Sequence, residues 1–184
     1  MTASPGPATA GPATTGPATT DPAPSGLTLS GAATGGTAAA LQAALAAENA
    51  AIYGYGVVGG QLGTAARNRA LRDWTQHEVA RDQLEAMLTS LGVKPVAAQP
   101  AYQLPFPVHG TSAAISLAGY LEDRVAAAYL GIVALDNSRL RVWAAAQARA
   151  CALRATTWLG RTAAFPGLSS GSGRAAAAGP SASP

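Results

Sequence analysis

Charge is scarce in this chain, and several kinds of side chain are nearly missing. Asp, Glu, Lys and Arg make up 11% of its 184 residues; lysine occurs once (Lys94), cysteine once (Cys151) and histidine twice (His77 and His109). One cysteine excludes an intramolecular disulfide and fits a reducing compartment. No apolar run is long enough for a spanning helix: the best, Ala38 to Gly60, is mostly Ala and Gly and carries Glu48 and Asn49 in its middle. Neither a basic stretch nor an apolar core follows Met1, so no signal peptide is expected and the chain is placed in the cytoplasm. A Gly-rich phosphate loop, a nucleophile elbow and a Cys/His metal cluster are also missing. The net charge is +3, and the arginines neither form a run nor interleave with aromatics. A nucleic-acid interface is therefore not expected. From Asn137 to the C-terminus there is no Asp, Glu or His at all, which limits any site built from four helices.

What is present divides the chain in three. Residues 1–36 run as a near repeat of Gly-Pro-Ala-Thr-Thr with one charge, Asp21. So few bulky apolar groups cannot offset the entropy of ordering, and the segment is expected to be a disordered arm. Residues 169–184 have the same Ala/Ser/Gly character and are expected to behave alike. Residues 37–168 form the expected folded unit, large enough for one core.

Four helical segments fill that unit. Helix 1 is predicted from Thr37, as N-cap after Gly35-Gly36, to about Gly63. Its seam is Leu41, Leu45, Glu48, Ile52, Tyr55, Gly59 and Leu62, and its glycines suggest a closely approaching neighbour. Helix 2 is predicted from Thr64 to Leu91, with His77 and Arg81 as polar members of the stripe Ala70, Trp74, Leu84, Leu88 and Leu91. Helix 3 is predicted from Ser112 to Asp136 on Ile115, Ala118, Glu122, Val125, Tyr129 and Ile132, with Leu121 competing for the core register. Helix 4 is predicted from Ser138 to Ala164, its inner side marked by Leu140, Trp143, Gln147, Cys151, Arg154 and Trp158. Between helices 2 and 3, Gly92 to Thr111 carries Pro95, Pro100, Pro105 and Pro107, so it cannot be helical. Antiparallel neighbours need only a short loop. A stretch reaching roughly 60 Å can travel the length of a helix. The expected fold is therefore all-α: a ferritin-like four-helix bundle with a long Pro-rich crossover between helices 2 and 3.

Three polar residues lie on the seams of successive helices: Glu48, His77 and Glu122. Carboxylates and imidazole suit divalent iron or manganese. The ferritin-like di-metal pattern takes a Glu from each of two helices and Glu-x-x-His from each of the others. Here the Glu of the helix-2 motif is replaced by Trp74, and helix 4 offers no ligand. One ion held by Glu48, His77, Glu122 and water stays possible. The other possibility is a metal-free polar network, since a buried carboxylate must be paired or protonated. Glu48 with Arg154, or Glu122 with Arg81, are the pairings expected of it. His109, in the Pro-rich linker, is expected to be exposed. Cys151 is expected to be a small core residue, and Tyr53, Tyr55, Trp74, Trp143 and Trp158 are expected to fill the core and interfaces.

The words LAAENAAIYGYGVVGGQL, WTQHEVARDQLEAML, PAYQLPFPV and LEDRVAAAYLGIV resemble the ferritin-like domain of unknown function found in actinobacterial proteins. The resemblance spans about residues 38 to 165. It implies a ferritin-like bundle and brings no established activity. Members often have His after the helix-1 Glu, where this chain has Asn49. The expectation is thus a non-catalytic helical binding or structural module with a degenerate metal site and no cofactor. It would act as a homo-oligomer or through a protein partner. The alternative is an iron- or manganese-binding protein with a single-metal site.

Overall fold

The computed structural model describes residues 31–161, and among these every regular element is an α-helix. The helices are α1 (Gly31–Gly60), α2 (Thr64–Ser90), α3 (Gly110–Val133) and α4 (Ser138–Leu159). The expected arm, up to residue 30, and the tail from residue 169 lie outside the described residues.

The helix ends follow local chemistry, with corrections to the sequence reading. α1 begins at Gly31 instead of after Gly35-Gly36, and Thr37 is a buried residue inside it, not a cap. Glycine costs a helix about 1 kcal/mol relative to alanine but does not block it as proline does. α4 starts where Asn137 accepts a hydrogen bond from the backbone N–H of Leu140 at 3.0 Å, an N-cap. It stops at Leu159, short of the expected Ala164, because Gly160 takes the left-handed conformation (φ 65°). Glycine does that without steric cost. α3 runs Gly110–Val133 where Ser112 to Asp136 was expected.

The principal contacts pair α1 with α2, α1 with α3, and α3 with α4. α2 meets α4 through side chains: Trp143 Nε1 donates to Gln83 at 3.3 Å and Trp158 Nε1 to Asp73 at 2.8 Å. The core is aliphatic along α1 to α3, with Leu41, Leu45, Val58, Leu84, Leu88, Leu117 and Ile132 fully covered. α4 adds Leu140, Trp143 and Trp158. Two seam positions move by one residue: Ala51 and Val58 are in the core, while Ile52 and Gly59 are half-buried. On α3 both Leu121 and Glu122 are buried, so the competing leucine does not displace the acid.

The non-helical segment between α2 and α3 is pinned at one point on α1 and at one just past its C-terminal end. Gln42 donates to the Lys94 carbonyl at 2.7 Å and accepts from the Val96 N–H at 2.8 Å. Gln61 accepts from the Gly110 N–H at 2.9 Å. These glutamines are about 28 Å apart along the helix. The segment thus passes along α1, and α3 starts beside the C-terminal end of α1. That makes α1 and α3 antiparallel, which sets the geometry of the site.

Candidate functional site

α1 and α3 each present a carboxylate and, seven residues later, a tyrosine: Glu48 with Tyr55, and Glu122 with Tyr129. Seven residues are two helical turns, so both side chains stay on one face about 10.5 Å apart. Because the helices are antiparallel, each tyrosine comes opposite the other helix's acid. Tyr55 Oη donates to Glu122 Oε1 at 2.6 Å, and Tyr129 Oη donates to Glu48 Oε1 at 2.6 Å.

His77, from α2, enters between the two carboxylates. Its Nδ1 lies 2.6 Å from Glu48 Oε2 and its Nε2 lies 3.2 Å from Glu122 Oε1. A carboxylate only accepts, so a ring facing one on each side is fully satisfied as the imidazolium, with both nitrogens donating. α4 closes the cluster: Arg154 Nε donates to Glu122 Oε1 at 2.8 Å and a terminal nitrogen lies 3.2 Å from Cys151 Sγ. Glu48, His77 and Glu122 are all at most 1% exposed.

The electrostatics follow from that packing. Burial alone would make His77 harder to protonate. The charge of Glu48 and the hydrogen bonds that the ring donates to both acids outweigh it, raising the imidazole to about 9. Burial likewise pushes Glu122 up, but the hydrogen bond and charge of His77, then Arg154, reverse this and hold it at about 2. Burial, reinforced by the neighbouring acid, pushes Tyr55 and Tyr129 well above the ordinary tyrosine value, so both remain neutral donors. Cys151 also lies well above the ordinary thiol value, through burial first and the Glu122 charge second. It is a covered, protonated thiol with no nucleophilic character.

The structure therefore brings the three sequence-derived residues together, but with other partners than expected. Arg154 pairs with Glu122, where Glu48 was expected. Arg81 reaches Asp82 at 2.8 Å and Glu78 at 3.8 Å on its own helix, not Glu122. Asp73 accepts from Trp158 Nε1 across the bundle. His109 is exposed at the start of α3 and caps nothing with its side chain. The roles of Tyr55 and Tyr129 escaped the sequence reading, although the shared Glu-to-Tyr spacing of seven residues was a usable signal.

These residues do not fit a metal ion. Glu48 and Glu122 sit on opposite edges of the imidazole, so no single point is shared by both acids and a ring nitrogen. Glu122 Oε1 already accepts from Tyr55, His77 and Arg154, and a guanidinium at that oxygen repels a second cation. Among the described residues no group of three His, Cys, Asp or Glu side chains is arranged to hold an ion. Two negative and two positive groups already balance without one.

The chain matches the domain of unknown function DUF4439 over residues 40–170 and belongs to that family. Its fold is similar to the crystal structure of a conserved hypothetical protein, Rv2844, from Mycobacterium tuberculosis. The two are 33% identical with a TM-score of 0.67, over 73% of this chain and 99% of that one. No curated protein matches the chain.

Proposed function

We propose that this DUF4439 member is a ferritin-like four-helix bundle acting as a non-catalytic helical binding or structural module. On this reading the position of a di-metal centre is filled by a proton-dependent charge network, and the Pro-rich segment is the fold's long crossover. One observation carries it: His77 bridges Glu48 and Glu122 through opposite ring nitrogens while Arg154 donates to the same Glu122 oxygen, Oε1, that His77 faces. The same groups cross-link all four helices, so the cluster serves as a polar clamp in the core. It lacks the features of a reaction centre. The acids are fully covered, the imidazole has no unshared nitrogen, and the one thiol is protonated. Iron or manganese held by Glu48, His77 and Glu122 is the competing reading.

Elemental analysis of protein produced with iron and manganese in the growth medium separates the two. The network reading expects far less than one metal per chain and an unchanged melting temperature on adding either ion. About one ion per chain, lost in Glu48→Gln, refutes it. No helix among the described residues is long and apolar enough to cross a membrane. The module's partner, or a second copy of the chain, would therefore meet it on the helical surface.

A further inference from the structure

A groove between the C-terminal half of α1 and the N-terminal half of α2 shares only Tyr55 with the polar cluster. It encloses a cavity of about 320 Å³ floored by Gly56, Gly59 and Ala70, and walled by Tyr55, Leu71 and Trp74. Cavities of roughly 300 Å³ and more, mostly apolar with a few polar groups, are typical of small-molecule sites. Leu71 is 58% exposed at the rim.

The floor is not explained by internal packing. A Cβ on Gly54 would lie 2.6 Å from Leu121, so that glycine lets α3 approach. A Cβ on Gly56 or Gly59 would meet nothing within 4 Å. Each glycine in a helix interior costs about 1 kcal/mol relative to alanine. α1 has five such glycines, Gly35, Gly36, Gly56, Gly59 and Gly60, and the two beside the groove leave it a bare floor.

Arg67 stands at the edge. Its Nε donates to the Gly59 carbonyl at 3.0 Å, which fixes the guanidinium over the groove. Its terminal nitrogens have no partner among the described residues. No acidic side chain lines the cavity, so the only formal charge facing an occupant is positive. A guanidinium whose end edge, the two terminal nitrogens, is free matches a carboxylate.

We propose that this groove binds a small amphipathic carboxylate, its apolar body lying on Gly56 and Gly59 between Leu71 and Trp74 and its carboxylate on Arg67. The inference goes beyond the module reading and does not depend on the polar cluster. Calorimetric titration of the full chain with decanoate, and with decanol as the uncharged control, tests it. Saturable binding of decanoate is expected, with decanol weaker. Arg67→Gln should weaken decanoate about 10- to 100-fold, the usual range for losing a hydrogen bond to a charged group. Gly59→Leu and Gly56→Leu should abolish binding by filling the floor. Both should melt no lower than the parent, since leucine is the better helix former and its Cβ meets open space. Absence of saturable binding at low-millimolar decanoate overturns the proposal. Equal binding of decanol overturns the carboxylate assignment, and undiminished binding by both folded leucine variants overturns the location.

Discussion

Raising the pH from 6 to 8 attacks the bundle through one proton, the second one on His77. Its imidazole titrates near 9 in the folded chain against an ordinary 6.5. The groups facing it are Glu48 and Tyr55 from α1, Glu122 from α3, Arg154 from α4, and Asp73 on its own helix. A folded value above the unfolded one means that the protonated form stabilises. The contribution is complete below pH 6.5 and disappears as the pH rises through about 9. Some 2.5 pH units at about 1.4 kcal/mol each give roughly 3 kcal/mol. Against a typical total of ~5–15 kcal/mol this is a large loss. Glu122 acts with the opposite sign: held near 2, it stabilises above its ordinary 4.5 and that stability is lost as the pH falls toward 2. The two shifts report largely the same His77–Glu122 contact and are not added. The expected profile is a plateau between about 4.5 and 6.5 with an alkaline decline.

Urea unfolding at about pH 6, 8 and 10 measures the alkaline limb, with the midpoint falling by about 1–2 M at constant slope. Tyr55, Tyr129 and Cys151 are also raised in the folded chain, above their ordinary 10, 10 and 9, so they withdraw stability as the pH passes those ordinary values, and the step from pH 6 to 8 belongs to His77. The control is His77→Gln, which is less stable throughout but has lost the limb assigned to this proton. A parent midpoint that does not move between pH 6 and 10, or one that falls equally in His77→Gln, refutes the reasoning.

Other substitutions probe separate parts of the fold. Arg154→Met should cost about 3–5 kcal/mol in urea unfolding, because it leaves the fully buried Glu122 without its guanidinium; Arg154→Met with Glu122→Gln should lose less than the two single changes added together. Gly54→Ala should destabilise by about 1–3 kcal/mol, since the new Cβ falls 2.6 Å from Leu121. Gly60→Ala, whose Cβ meets nothing within 4 Å, should gain up to about 1 kcal/mol. Cys151 should resist iodoacetamide in the native protein at pH 8 and react once urea unfolds it, as followed by mass spectrometry. Fast native alkylation would contradict a 1% exposed thiol.

The parts legible in the sequence were those set by period and by proline. Glu48, His77 and Glu122 could be assigned to inward faces because a seam with 4-3 steps leaves little freedom about which side is covered. Four prolines identified the non-helical segment between α2 and α3. Helix ends were less legible, since the Gly31–Gly36 stretch weakens a helix without stopping it, and Gly160 ends α4 before the proline does. Partners were harder still. Choosing between Arg81 and Arg154 for Glu122 depends on the rotation of α2 about its own axis. One turn beyond His77, Arg81 lies 28% exposed and takes Glu78 and Asp82 of its own helix.

The same rotational question decides between an ion and a proton at the centre of the bundle. A seam pattern says that two acids and a histidine face inward; it does not say on which edge of the ring each acid lies. With both acids on one edge, an ion could be shared and the second nitrogen would be free to donate elsewhere. With one acid on each edge, the ring itself must carry the positive charge. The tyrosines support the second arrangement, because each donates to the opposite helix's carboxylate at 2.6 Å, Tyr129 to the Glu48 oxygen that the ring leaves free and Tyr55 to the Glu122 oxygen that faces the ring. Releasing that hold is therefore a direct test of the distinction. Tyr55→Phe with Tyr129→Phe should leave the fold intact but lower the His77 titration, since each acid loses one donor and is less stably ionised. The C2 proton of the ring, followed by NMR, should then titrate below about 9. An unchanged titration would mean that the tyrosines only fill space and that the ring, not its flanking donors, positions the acids.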